Sequence, residues 1–440
     1  MRELFRRVHC FHLNETGNFA VIFALALTPL LAAVGCAVDY SRATQIRARL
    51  QAAADAASVG SVARKSPAYI AVGAMTSDGS VPAGVTDATN IFNGNLSGFS
   101  SYTLNDVNAV VTKTGGTVTS VVTYSARIPT LFMGIMGFNT MTVSGSSTST
   151  ASMPLYIDFY LLLDNSPSMG VGATPADVTK MVNNTSDKCA FACHDVNNNN
   201  NYYKLAQSLG VTTRIDVLRS ATQSLMDTAN ATQTYSNQFR MAIYDFGASA
   251  GGAGLRALFA LSSSLTSAKT AAGKIDLMTV DGQNDNNDQD TDFTRILPAI
   301  GNVITAPGSG TSGSPQKYLF FVSDGVADES NSGSCSKPTY GGRCQSPINV
   351  ALCTSIKNRG IKIAVLYTTY LALPTNDWYN DWIAPFNAGP YGPSPNSQIA
   401  QNMKSCATPG LYFEVSPTEG ISQAMNTLFQ KAVADARITS

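Results

Sequence analysis

The chain has 440 residues, 44 % of them hydrophobic and only 13 % charged, and 29 basic residues balance 29 acidic ones to a formal net charge of zero. This length allows two or three domains, since one core rarely grows beyond about 250–300 residues. The balanced charge, with no Lys/Arg cluster along a helix stripe, excludes a basic nucleic-acid-binding surface. Ser, Thr, Asn and Gly take the place of the missing charges.

Phe19–Val38 (FAVIFALALTPLLAAVGCAV) carries no charge and, as a helix rising about 1.5 Å per residue, reaches about 30 Å, the thickness of a bilayer core. Pro29 is expected to kink it, which a membrane helix tolerates. Arg2, Arg6 and Arg7 precede the span while Arg42, Arg47 and Arg49 follow it, so flanking charge does not set the orientation. The short segment 1–18 and the position of most cysteines favour a cytoplasmic N-terminus, a single pass through the bacterial inner membrane and a C-terminal part in the periplasm or outside. Signal-peptidase cleavage calls for a shorter apolar core and an A-x-A exit. A lipoprotein box ending at Cys36 meets Ala33 where a larger aliphatic residue is usual.

Asp39–Ala63 reads as a second helix, with Ile46, Leu50, Ala53 and Ala57 forming one thin apolar stripe. A stripe made mostly of Ala requires a partner that approaches closely. Residues 17–63 resemble the N-terminal module of the TadG-like proteins of tight-adherence (Flp) pilus assembly systems. The features shared are Gly17-Asn18, the apolar span, Asp39-Tyr40 at its exit and the segment with Leu50, Gln51, Ala53, Asp55, Ala56 and Ala57. Prepilin substrates carry Glu five residues after the processing Gly, whereas Gly17 is followed there by Ile22, so prepilin-peptidase processing is not expected.

Val107–Thr112, Thr117–Ser125 and Met141–Thr150 are rich in Val and Thr and are divided by turn signals such as Gly115-Gly116, which predicts strands and a hairpin. With the helix before them they make residues 39–150 a small helix-plus-β stalk. The apolar run Ile128–Phe138 (IPTLFMGIMGF) is too short to cross a membrane. Core packing is the first expectation for it, and a partner or membrane-surface patch the second.

From Leu155 the pattern alternates. Leu155–Leu163, Phe239–Phe246, Lys317–Val322, Ile361–Tyr367 and Leu411–Val415 read as strands. Ile215–Ala229, Thr294–Ile304, Ile348–Asn358, Gln398–Cys406 and Glu419–Arg437 read as helices. Such alternation predicts an α/β fold, a doubly wound and mostly parallel sheet over residues 155–440, with ligands beyond the carboxyl ends of its strands. Three polar clusters belong to that edge: Asp164-Asn165-Ser166-Pro167-Ser168 after the first strand, Asp292-Phe293-Thr294 opening a helix, and Ser323-Asp324-Gly325 after the third strand. Their carboxylates and hydroxyls are hard oxygen donors that suit Mg²⁺. D-x-S-x-S alone also serves as a turn or helix cap.

Together these clusters resemble the metal-ion-dependent adhesion site of von Willebrand A domains. The resemblance implies metal ligands at Asp164, Ser166, Ser168, Thr294 and Asp324, a Mg²⁺ or Mn²⁺ cofactor, and a protein partner whose carboxylate completes the shell. Thr294 is chosen because Ala299-Ile300 follow it where the family has an Ala-Leu-like pair. Insertions at 171–213, 327–346 and 368–395 depart from the family and are expected to rise around the metal face.

The six cysteines after the span, Cys189, Cys193, Cys335, Cys344, Cys353 and Cys406, suit disulfides in an oxidising compartment. Proximity suggests the pairs Cys189–Cys193, Cys335–Cys344 and Cys353–Cys406. Zinc at Cys189, Cys193 and His194 lacks a second ligand pair at a recognisable spacing. Asp281–Asp292 lacks the Gly and bidentate Glu of an EF-hand and reads as a solvated loop. No histidine stands near Ser166 in sequence, so a binding protein is expected and an enzyme is not. The combined expectation is a pilus-assembly or adhesion protein, with a cleaved surface adhesin as the alternative and a metal-dependent hydrolase more distant.

Overall fold

The computed structural model describes residues 16–75, 77–282, 290–305, 307–330, 335, 337–339, 342–387, 397–415 and 420–438. The chain divides into two compact units, Met1–Met153 and Pro154–Ser440.

In the first unit one helix, α1 (Thr16–Val62), runs through both segments read as helical and continues past Pro29. Its side chains are exposed from Phe19 to Leu31. Its second half packs Ala43, Ile46, Leu50, Ala53, Ala54 and Ala57 against Val122, Tyr124, Ala126 and Ile128 of a sheet. Small side chains let the backbone come close enough for Ser58 to bond Ser147 and Ser149 (2.9 and 2.8 Å) and Ser61 to bond Ser120 (2.9 Å). Gln51 donates to Ser146 O (3.0 Å) and accepts from the Tyr124 hydroxyl (3.2 Å). The Leu-Gln-x-Ala-x-Asp-Ala-Ala segment is therefore packing chemistry between this helix and the sheet.

The sheet is an antiparallel series, β1 (Gly79–Ser80), β2 (Thr103–Thr114), β3 (Thr117–Pro129) and β4 (Thr140–Ser152), in that spatial order. Gly115 takes φ 56° in the β2–β3 turn, a conformation that favours glycine. Two helices not read from the sequence, α2 (Pro67–Ala74) and α3 (Pro82–Asn95), each open on proline. The expectation that Ile128–Phe138 packs in the core needs correction. Ile128 is buried, but Leu131, Phe132, Ile135, Met136 and Phe138 are exposed, because the loop is pinned by its backbone beside α1.

In the second unit a six-stranded sheet has the order β14-β13-β10-β5-β7-β8. Its strands are β5 (Ile157–Leu163), β7 (Phe239–Asp245), β8 (Arg256–Ser262), β10 (Gln316–Ser323), β13 (Lys362–Thr368) and β14 (Tyr412–Val415). All neighbours are parallel except β7 and β8. Short pairs outside it join β6 (His194–Asp195) to β9 (Thr279–Val280), and β11 (Val326–Ser330) to β12 (Arg343–Pro347).

β5 is buried along its whole length, as expected of a central parallel strand covered on both faces. Phe159, Leu161 and Leu163 enter one core with α6 (Arg214–Thr232), α7 (Leu265–Ala272) and α11 (Ile421–Ile438). Tyr160 and Leu162 enter the other with α8 (Phe293–Val303), α9 (Val350–Lys357) and α10 (Gln398–Cys406). Asp158, the one charge inside β5, is flanked in register by Arg240 (2.6 Å) and Lys317 on the adjacent strands. This is the doubly wound, mostly parallel α/β architecture expected of a von Willebrand A-like fold.

The first insertion contains α4 (Pro175–Asn184) and α5 (Tyr202–Leu209). Thr174 and Asn201 cap them by accepting from Asp177 N–H and Lys204 N–H. Of the three expected disulfides, Cys335–Cys344 and Cys353–Cys406 are formed, with Cα separations of 5.8 and 5.1 Å. Cys189 and Cys193 do not form a disulfide: the Cys189 sulfur lies against the main chain of Phe191, 3.4 Å from N and 3.7 Å from O. Most of Asp281–Asp292 lies outside the described residues.

Candidate metal centre

The site begins where β5 ends. Asp164 N–H donates to Val322 O on the neighbouring strand (3.0 Å), which fixes Asp164 at the carboxyl edge beside Ser323 and Asp324. The chain then turns, and Asn165 locks the turn: its amide nitrogen donates to Gly247 O (2.9 Å) and its oxygen accepts from Phe246 N–H (3.0 Å).

The Asp164 carboxylate accepts from Ser166 through both N–H (3.0 Å) and hydroxyl (2.6 Å), and from the Ser323 hydroxyl (2.6 Å). Ser166 and Ser168 hydroxyls lie 3.0 Å apart, and the Arg214 guanidinium bridges Ser168 O (3.4 Å) and the Asp324 carboxylate (3.2 Å). Three of the five expected ligands, Asp164, Ser166 and Ser168, are thus one chain of hydrogen-bonded oxygens, and Asp324 is tied to it through Arg214. Alternation along D-x-S-x-S brings the two serine hydroxyls together.

Thr294 is not part of that chain. It lies on the first turn of α8, exposed, and its hydroxyl donates to Asp292, the N-cap of the helix. Thr291 directly precedes that N-cap. It is buried and, with Ser168, lines a pocket of about 380 Å³. The spacing fits either threonine, because Ile296-Leu297 follow Thr291 at the same interval as Ala299-Ile300 follow Thr294.

Arg214, the first residue of α6, was not read from the sequence. Its guanidinium is buried and donates to Asp324 Oδ2 (3.2 Å), Ser168 O (3.4 Å), Thr368 O (3.0 Å) and Thr369 O (2.7 Å), with the Tyr370 ring 5.3 Å away. Burial, then the neighbouring Asp324 charge, push the Asp164 carboxyl up to about 7 despite its three hydrogen bonds. Burial also raises Asp324, against the opposing pull of Arg214. Two buried carboxylates with one guanidinium leave a net negative charge, so further cationic charge is favoured there.

The donor set fits a hard divalent ion. Two carboxylates and neighbouring hydroxyls supply few protein ligands and leave positions for water, the pattern that suits Mg²⁺ and Mn²⁺. Among the described residues no group of three or more His, Cys, Asp and Glu converges as a metal site. His194 packs on the Tyr203 ring (5.1 Å).

All three insertions contribute to the pocket above Ser168. Asp187, Cys189 and Phe191 come from the first, Asp328, Arg343 and Gln345 from the second, and Tyr370, Asp377 and Trp378 from the third. Arg343 is paired with Asp328 (2.8 Å) and stacks on Trp378 (5.2 Å), which ties the second insertion to the third.

Residues 17–64 match the family model Tad, described as "Putative Flp pilus-assembly TadE/G-like". Among curated proteins none matches the chain significantly. Solved structures that resemble it include the vWF domain of the type V pili tip protein Mfa5 from Porphyromonas gingivalis, at 10 % identity over 64 % of this chain and 97 % of that one (TM-score 0.35). The pilus adhesin SpaC from Lactobacillus rhamnosus GG matches at 12 % identity over 77 % of this chain and 34 % of that one (TM-score 0.37). The manganese-loaded TRAP protein of Plasmodium vivax matches at 13 % identity over 62 % of this chain and 72 % of that one (TM-score 0.29). Residues 17–64 are thus similar to the TadE/G-like Flp pilus-assembly family, and they stand in one chain with a doubly wound α/β unit, Pro154–Ser440.

Proposed function

We propose that this is a single-pass inner-membrane protein of Flp-type pilus assembly or adhesion, whose outer domain binds an acidic protein partner through Mg²⁺ or Mn²⁺. The observation that carries this reading is the cluster of oxygens at the carboxyl edge of the sheet, with Asp164, Ser166 and Ser168 bonded in a chain and Asp324 held to it by Arg214. A threonine hydroxyl from the Thr291–Thr294 turn completes the set. Asp164 and Asp324 contribute two negative charges and Arg214 one positive, so a bound divalent ion leaves the site with one net positive charge. An incoming carboxylate would meet net positive charge there only with the ion bound, which would make metal and partner mutually dependent.

Ser166 has Asp164 and Ser168 as hydroxyl partners, an arrangement that supports the ligand-holding role proposed for it. The disulfides support an oxidising compartment for the second unit. Capture from cell-envelope extracts with the full chain in detergent tests the reading. Partners retained in Mn²⁺ and released by EDTA support it, and an EDTA-insensitive set overturns it.

A further inference from the structure

The β3–β4 loop is held by a device that the metal-site reading does not use. The Asp39 carboxylate of α1 accepts three successive loop amides, Leu131 N–H (2.9 Å), Phe132 N–H (2.8 Å) and Met133 N–H (2.7 Å). One turn further along the helix, Arg42 donates to Pro129 O (3.1 Å). Gly35 lets the loop close on the helix: a Cβ there would lie 2.6 Å from the Phe132 Cβ. The loop backbone is thus fastened to residues 35–42, where the uncharged span Phe19–Val38 gives way to the charged part of α1.

With its amides held inward, the loop turns its apolar side chains out. Ile135 is 85 % exposed, and Leu131 and Phe138 are each 61 % exposed, with Phe132 and Met136 beside them. No charged residue lies between Arg127 and Asp158. Monomeric soluble surfaces seldom carry so dense an apolar cluster without an occupant. The position identifies the occupant, because the cluster is continuous with the exposed apolar surface of the span. Aromatic and aliphatic side chains at that level belong at the boundary between headgroups and acyl chains.

We propose that residues 131–138 dip into the leaflet from which α1 emerges, as a second contact with the bilayer that sets the rotation and depth of the first unit on the membrane. This rests on α1 spanning the bilayer and is independent of the metal centre. Asp39 is the positioning residue: it fixes the loop at the height where its side chains meet lipid.

The test uses the full chain in phosphatidylethanolamine/phosphatidylglycerol nanodiscs, with Phe138→Trp read against the parent, whose own tryptophans, Trp378 and Trp382, serve as the baseline. A side chain buried about 5–10 Å into the interface should lose at least about half of the added emission to lipids brominated near the top of the acyl chain. It should lose little to aqueous iodide. Ile135→Trp provides a second position in case Phe138→Trp fails to fold. Quenching by iodide and not by bromolipid overturns the proposal. Shielding from both quenchers also overturns it, and shows a protein covering the loop instead.

Discussion

Arg214 and Asp324, each 1 % exposed, face one another across 3.2 Å at the carboxyl edge of the sheet. The guanidinium is therefore a resident cation inside a site whose oxygens suit a metal. Arg214→Met leaves Asp324 buried and unpaired, which typically costs about 3–5 kcal/mol. A divalent ion can replace much of the lost positive charge. Thermal unfolding should show the variant strongly destabilised in EDTA and rescued by Mn²⁺ far more than the parent. Equal Mn²⁺ shifts in both proteins would mean that Arg214 and the ion do not share one field.

The two threonines of the α8 turn separate in the structure and should separate in function. Thr291, buried on the pocket beside Ser168, should weaken Mn²⁺ binding about tenfold when changed to Ala, the scale of one lost ligand or its support. Thr294→Ala removes an exposed hydroxyl whose partner is Asp292 and should change affinity little. Calorimetric titration of both variants decides, and the reverse order would restore Thr294 as the ligand.

The Asp164 carboxyl, ordinarily near 3.8, is pushed up to about 7 by burial and the Asp324 charge. Its folded-state pKa is raised, so without metal the folded protein holds this proton more tightly than the unfolded chain does. The stabilisation is fully present below about pH 3.8 and is lost as pH rises through about 7. Metal binding requires the ionised form, so Mn²⁺ affinity should fall by up to about tenfold per pH unit below 7. Unfolding free energies in EDTA and Mn²⁺ titrations across pH 5–8 should slope in opposite senses, and a flat metal titration would exclude Asp164 from the ligand set.

Cys353–Cys406 closes a separation of 53 residues and joins α9 to α10. Replacing both with Ser should lower stability by about 2–4 kcal/mol. Denaturant unfolding of the oxidised parent against the variant measures this. Alkylation of the unreduced protein at either cysteine would contradict the bond.

What the sequence revealed follows from burial. β5, β10 and β13 read as continuous apolar runs because helices cover both their faces, and Asp164 and Asp324 were legible as polar residues that end such runs. β8 was missed because Arg256–Ser262 is a half-exposed edge strand with no clean alternation. Arg214 was missed because a buried guanidinium and a solvated one are the same letter in sequence. The loop after β3 was misread because its exposure depends on Asp39, 92–94 positions upstream. Thr291 and Thr294 both satisfy one spacing, so the sequence does not choose between them.

The central claim is that the oxygens at the carboxyl edge of the sheet hold a divalent ion. Isothermal titration of the full chain in nanodiscs with Mn²⁺, alongside Asp164→Ala with matched far-ultraviolet circular dichroism, tests it most directly. The expected result is saturable binding of one ion per chain, abolished by EDTA and weakened at least about tenfold in Asp164→Ala. Equal binding by the parent and a correctly folded Asp164→Ala, or no binding by the parent, would contradict it.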